Sequence, residues 1–313
     1  MYRHTRLAAL VAVVAFLLAA CTAGASPAPS ATTAPASQPA SAAPSEAPAA
    51  TIDPESLLGK VIAAGKIRVS TDPNYAPFSS VKADGTYEGF DTATAEEAVK
   101  RLAEKVGSPI EIQWETPGWD LITAGSWGGR WDISIGSMSV TETRAKVVDF
   151  VDPYYFDAGG VAVPVASTIT SLDELNGGKT FCVGSATTYE QWLNQTLEIV
   201  DPALLPPPTD PKVTALPTDN ECIQAVAAGR TFDAIVANKN GLEAAVAAGQ
   251  PIKMIGDKPI FTVSVAFAMD KGGPDTAAML EVLNEVVADM HADGTLKALS
   301  EQWLGEDATT KPS

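Results

Sequence analysis

From residue 66 to residue 303 the chain alternates short apolar runs with amphipathic stretches, and this alternation limits the possible folds more than any other feature. The runs 66–71 (KIRVST), 110–115, 133–135, 159–165, 180–183, 212–216, 234–236, 252–255 and 262–269 have the length and β-branched content of strands. Between them, 91–106 carries Ala95, Val99, Leu102 and Val106 at helical spacing. The stretches 141–147, 187–196, 219–228, 240–248, 275–292 and 295–303 also predict helices. The pattern predicts an α/β fold with mainly parallel sheets covered by helices on both faces. Two such sheets, connected twice, account for the divisions near 155–160 and 261–265. No repeat with a period of 20–50 residues is visible, which argues against a solenoid.

The N-terminus places this domain. Arg3 and Arg6 precede an apolar segment, 7–18, that is too short to stand across a bilayer. The run Leu18-Ala19-Ala20-Cys21 then resembles the bacterial lipobox, in which the cysteine receives diacylglycerol and becomes the first residue of the mature chain. An ordinary signal peptide with a chance cysteine is the alternative. We therefore expect residues 1–20 to be a signal peptide and Cys21 to be lipidated. The rest would work outside the cytoplasm, on the outer face of the cell membrane and held there by lipid alone. Residues 22–51 are almost wholly Ala, Ser, Pro and Thr, with one charge at Glu46. So few large apolar groups cannot offset the entropy of ordering, so this segment is expected to be a tether, extended by its prolines. Its composition also suits an O-glycosylated stalk.

A net charge of −17 and the lack of any basic cluster exclude a nucleic-acid binder and suit a soluble, monomeric body. After the leader no apolar run is long enough to cross a membrane. Cys182 and Cys222 are the cysteines left besides Cys21. Outside the cytoplasm such a pair predicts a disulfide between strand 180–183 and the first turn of helix 219–228, contributing roughly 2–4 kcal/mol. Two buried free thiols are the alternative.

Enzyme signatures are mostly absent. His4 leaves with the signal, so His291, on a polar stretch of helix, is the one remaining histidine. With no close Cys/His spacing, no metal site is predicted. No GxGxxG, GxxxxGK[ST] or GxSxG occurs, so no nucleotide or other cofactor and no nucleophile elbow is predicted. Three segments instead look like parts of a site for a small zwitterion or anion. In 71–78 (TDPNYAPF), prolines stiffen a loop that presents Asp72 and Tyr75 at a strand's carboxyl end. In 132–144 a strand ends in Gly136, Ser137 and Ser139, and Arg144 follows with a planar fork that fits a carboxylate. In 182–190 a glycine turn leads to Thr187 and Thr188 at a helix start, where amide groups favour an anion.

These segments, in this order, resemble the bacterial extracellular solute-binding proteins of family 3, the receptors of polar amino-acid ABC importers. The likeness runs from about residue 57 to 305. Its motifs are YAPF at 75–78, GTYEGFD at 85–91, Trp119-Asp120-Leu121-Ile122 and the stretch 137–144. It continues through DFVDPYY at 149–155, SLDEL at 171–175, AAGRTFDAIVA at 227–237, DGTL at 293–296 and WLG at 303–305.

The resemblance implies a type II periplasmic-binding-protein-like fold. Two α/β lobes would be joined by two hinge strands: lobe 1 from 52–157 and 265–305, lobe 2 from 158–264, with a tail at 306–313. It puts the carboxylate-binding arginine at Arg144 and its partners at Ser137, Ser139 and Thr188. Aromatic walls fall at Tyr75 and Trp119, and a polar contact near the ligand side chain at Asp72. It implies a binding protein serving an ABC permease rather than an enzyme; a cyclohexadienyl-acid dehydratase on the same fold is the alternative. Two departures stand out. Where such receptors carry an aspartate for the α-ammonium, this chain has Asn238. Either another carboxylate, Asp91 or Asp157, compensates, or the ligand is not an ordinary α-amino acid. The loop 125–129 is also one residue longer, so that Trp127 either covers the cleft or packs on the surface.

Overall fold

The computed structural model describes residues 52–199, 201 and 203–311. The signal segment, Cys21 and the tether to residue 51 lie outside the described residues, as do the last two residues of the expected tail.

After helix α1 (Leu57–Ala64), strand β1 (Lys66–Ser70) alternates exposed Lys66 with buried Ile67 and Val69. A small antiparallel sheet follows, of β2 (Asn74–Tyr75), β3 (Ser79–Val81) and β4 (Tyr87–Glu88). Helix α2 (Phe90–Val106) buries the stripe Ala95, Ala98, Val99 and Leu102 and stops at Gly107, whose left-handed backbone turns its amide onto the last carbonyls. Then come β5 (Glu111–Glu115), α3 (Trp119–Thr123), β6 (Ile133–Ser134) and β7 (Val148–Phe150). The long strand β8 (Tyr155–Pro164) leads to β9 (Thr180–Gly184), α4 (Thr188–Leu193), β10 (Lys212–Leu216) and α5 (Asp219–Ala227). The chain continues through β11 (Ala234–Asn238), α6 (Lys239–Ala247), β12 (Ile252–Ile255), β13 (Thr262–Val265) and β14 (Ala268–Asp270). Helices α7 (Ala277–Ala292) and α8 (Thr295–Leu304) close it.

Two sheets result. The first has the order β5-β1-β6-β14-β7 and the second β10-β9-β11-β8-β12, with β13 also paired to β8. The α/β class is as expected, but the sheets are mixed rather than mainly parallel. β1 runs parallel to β5 and β6, and β9 to β10 and β11. β14 is antiparallel to β6 and β7, and β8 to β11, β12 and β13. The antiparallel pairs involve β8, which carries the chain from one lobe to the other, and β14, which follows the return. β8 starts with Tyr155 in the first core and ends with Val161 and Val163 in the second. β13 returns from Val263 in the second core to Val265 in the first. These two crossing strands give the fold its two lobes.

In the second lobe, alternate residues of the central strands face opposite sides. Phe181, Val183 and Val236 pack on one cluster, while Cys182, Ile235 and Ala237 pack on the other. That two-sided burial is why β9 and β11 read as unbroken apolar runs. Cys182 and Cys222 are bridged, with Cα atoms 5.6 Å apart, which ties β9 to α5.

Some expected elements take another form. Residues 141–147, expected to be helical, hold only a short 3-10 turn, Arg144–Lys146, within a stretch whose β-branched threonines and valines disfavour a helix. The expected strand 262–269 is interrupted at Ala266 and Phe267, where it passes between the lobes and the Ala266 amide donates to the Met138 carbonyl. Trp127 neither covers the cleft nor lies on the surface. It is 0% exposed, tilted against Trp131 at 5.3 Å, with its indole N–H donating to the Ile122 carbonyl at 2.9 Å. No helix among the described residues is long and apolar enough to cross a membrane.

Candidate functional site

A cavity of about 470 Å³, mouth included, lies between the lobes beside the crossing strands. Asp72, Tyr75, Trp119, Gly136, Ser137, Ser139, Arg144, Thr187 and Thr188 line it, together with Asp157, Tyr189, Pro217, Thr218 and Asp219. Every ligand-contact candidate from the sequence is therefore brought to one place except Asn238. Among the described residues no group of three or more His, Cys, Asp or Glu side chains is arranged to hold a metal ion.

The loop after β1 is fixed locally. The Asp72 carboxylate accepts from the Asn74 amide at 2.7 Å, and Tyr75 stacks on Phe78 at 5.1 Å. Burial pushes the Asp72 carboxyl above its usual range.

The stretch after β6 forms the cavity floor. Ser137 has a left-handed backbone, φ 56°, and its hydroxyl is locked on both sides. It donates to Asp91 at 2.6 Å and accepts from the Tyr155 hydroxyl at 2.8 Å. Tyr154 donates to the other Asp91 oxygen at 2.6 Å. Asp91 thus lies behind Ser137 rather than on the cavity wall; burial pushes it up to about 7 against the pull of those two hydrogen bonds.

Arg144 is 3% exposed. One terminal nitrogen donates to the Ser139 carbonyl at 3.0 Å, the other to the Ala186 carbonyl of the opposite lobe at 2.9 Å. The guanidinium sits over the Trp119 ring at 5.3 Å, and Trp119 donates to the same Ala186 carbonyl at 3.3 Å. The Arg144 Nε–H has no partner among the described residues. Burial pushes this guanidinium down to about 10, which leaves it cationic at neutral pH.

Facing it is Asp157, also 3% exposed. Tyr189 donates to one of its oxygens at 2.6 Å and the Asn238 amide to the other at 2.6 Å. Burial pushes this carboxyl up to about 6, against those hydrogen bonds and the charge of Arg144. Asn238 itself is 1% exposed and has both ends of its amide occupied, its carbonyl oxygen capping α6 by accepting from Gly241 at 3.0 Å. It touches the site through Asp157.

Thr187 caps α4: its hydroxyl accepts from the Glu190 amide at 3.2 Å and donates to the Gly184 carbonyl at 2.7 Å. That donor is committed to the backbone, so of the two threonines only Thr188, buried beside it, has its hydroxyl left for a ligand.

In the sequence Asp219 marks only the start of the helix 219–228; the structure adds that Thr218 caps that helix. Asp219 is 5% exposed and accepts from the Gly184 amide at 2.8 Å. A Cβ on Gly184 would collide with that carboxylate oxygen, so only glycine admits Asp219 here. Burial pushes the carboxyl up to about 7, and the charges of Asp157 and Asp72 add to the effect.

One guanidinium, three carboxylates and three aromatic rings (Tyr75, Trp119 and Tyr189) therefore line one cavity. Such a cavity suits a small molecule that carries a carboxylate and positive charge.

Two lobes joined by two crossing strands over a polar cavity define a type II periplasmic binding protein, the class of the solved structures that this fold matches. The chain belongs to the bacterial extracellular solute-binding proteins, family 3, whose sequence profile matches residues 67–306. Among curated relatives, the L-cystine-binding protein TcyJ of Escherichia coli K12 is 31% identical over 263 residues, covering 82% of this chain and 88% of the relative. An ancestral arginine-binding protein solved with bound glutamine is 28% identical with a TM-score of 0.64, covering 77% of this chain and 99% of that one. The ancestral amino acid-binding protein AncCDT-1, a precursor of cyclohexadienyl dehydratase, is also 28% identical, with a TM-score of 0.65 over 80% of this chain and 100% of that one.

Proposed function

We propose that this protein is the extracytoplasmic receptor of an ABC importer and binds an amino acid in the cavity between its lobes. Arg144 carries the reading. A guanidinium buried to this degree, with one N–H unpartnered, needs an anion to complete it, and a ligand carboxylate supplies two parallel acceptors. Ser137, Ser139 and Thr188 surround that carboxylate. The α-ammonium goes to Asp157, which takes over the charge missing at Asn238 and is aimed by the Asn238 and Tyr189 hydrogen bonds. Tyr75 and Trp119 form the walls, and Asp72 lies near the ligand side chain. Relatives named for L-cystine and arginine support an amino acid as the ligand class.

The lobes, with expected boundaries at 52–157 plus 265–305 and at 158–264, open and close about β8 and β13. Ligand selects the closed state because closure brings residues of both lobes, Arg144 from one and Thr188 from the other, onto the same ligand. The chain acts as a monomer, held by lipid on Cys21 and a tether to residue 51 at the outer face of the membrane, and hands its ligand to a permease. It acts by binding, without catalysis. Titration calorimetry of the purified chain and of Arg144→Ala with L-amino acids tests this. Binding lost in the variant supports it, and unchanged affinity removes Arg144 from the site. Conversion of a cyclohexadienyl acid by the same samples would favour the dehydratase reading instead.

A further inference from the structure

Asp157 lies near the start of β8, where the chain leaves one lobe for the other. A piece of chain that lines no part of the cavity reaches it there: the C-terminal segment after α8. The buried Ser300 hydroxyl pins that segment to α8, donating to the Glu306 carbonyl at 2.6 Å and accepting from the Ala308 amide at 2.9 Å. Two ties leave the pinned segment. The Ala308 carbonyl accepts from the amide of Phe156, the residue before Asp157, at 2.9 Å. The Glu306 carboxylate accepts from the side-chain amide of Asn240 at 2.6 Å. Asn240 is buried in the first turn of α6, the turn that Asn238 caps through Gly241. Asn238 in turn donates to Asp157. The ties therefore reach Asp157 by separate routes, one along the backbone of β8 and one through α6. The second also joins the lobes, because α8 packs Leu296 into the first core while α6 packs Leu242 beside Ile235 and Ala237 of the second lobe. An ionised acceptor makes that tie roughly twice as strong as a bond between neutral groups.

We propose that the C-terminal segment 305–308 is a positioning element for Asp157 and a third tie between the lobes, with Glu306 holding the turn from which Asn238 aims the carboxylate. This rests on the amino-acid reading above, in which Asp157 takes the α-ammonium. Glu306 touches no ligand; it acts through Asn240, the first turn of α6 and Asn238. With the tie cut, that turn and the Asn238 amide gain freedom, and Asp157 relies on Tyr189 for its aim.

Two variants cut the ties separately. Glu306→Ala removes the acceptor of Asn240, and a chain ended after Asp307 removes the acceptor of Phe156. Amide hydrogen exchange of the ligand-free protein reads the positioning, and calorimetric titration with the common L-amino acids reads its consequence. Glu306→Ala should speed exchange of the Gly241 amide roughly tenfold, the loss of one charge-assisted hydrogen bond, and the shortened chain should do the same at Phe156. In both, affinity should fall about threefold to tenfold, the range through which residues remote from a ligand act. Glu306→Gln, which keeps an acceptor for Asn240, should return exchange and affinity to near their wild-type values. Unchanged exchange in both variants overturns the proposal, and so does faster exchange with unchanged affinity. If the wild-type chain binds no amino acid, the amino-acid reading fails and takes the role of Asp157 with it, and exchange alone then upholds or overturns the tie.

Discussion

The side-chain amide of Asn238 donates to Asp157 at 2.6 Å while its carbonyl oxygen caps α6 at Gly241. One residue thus fixes a helix end and a cavity carboxylate together. Asn238→Ala should remove both hydrogen bonds and cost about 2 kcal/mol of stability, from a lost cap and a buried carboxylate with one donor fewer. It should also weaken ligand binding, because Asp157 is no longer aimed. Thermal unfolding and calorimetry check the two effects. A variant with wild-type stability and affinity would mean that Asn238 positions nothing.

Arg144→Ala should lower ligand affinity by roughly 2–5 kcal/mol, the cost of leaving a buried carboxylate unpaired. Arg144→Lys should recover only part of it, since an ammonium cannot reproduce the planar fork that spans Ser139 and Ala186. The same titrations read both variants.

Much of this site is legible in the amino-acid sequence. The YAPF loop, the stretch 137–144 and Thr187–Thr188 each sit at a strand's carboxyl end, so local pattern is enough to bring their residues into one cavity. Asp219 is not legible in that way. Its burial depends on Gly184, which lies 35 residues away and becomes a neighbour only because β9 stands between β10 and β11. The role of Asn238 is likewise hidden, because its partner Asp157 comes from the crossing strand β8, 81 residues earlier. Trp127 illustrates the opposite failure. A tryptophan among glycines suggests exposure, yet the Asp270 carboxylate accepts from the Ser126 and Trp127 amides and turns the loop inward.

The disulfide should stabilise the fold by roughly 2–4 kcal/mol, because it closes a loop across 40 residues of sequence. Reduction, or Cys182→Ser with Cys222→Ser, should lower the melting temperature by that equivalent. It should also weaken ligand binding, since α5 then holds Asp219 less firmly. A reduced protein with unchanged melting would contradict the account.

The buried carboxyls make stability depend on pH in an unusual direction. Asp91 and Asp219 are pushed up to about 7 and Asp157 to about 6, from an ordinary value of 3.8. Between those values the folded chain keeps protons that the unfolded chain has released. The stability these groups contribute is therefore full below about pH 4, declines as pH rises to about 7, and is flat above. The ligand-free protein should melt higher at pH 5 than at pH 7.5, and Asp219→Asn should reduce that difference. A melting temperature that rises across the interval would contradict these assignments.

The central claim, that the cavity binds an amino acid, is tested most directly by a thermal-shift panel of the common L-amino acids on protein stripped of carried-over ligand by unfolding and refolding. A ligand at a hundred times its dissociation constant adds about 2.7 kcal/mol, which a melting curve resolves. We predict a clear rise with at least one amino acid, and loss of that rise in Arg144→Ala. A flat response to every amino acid would contradict the account.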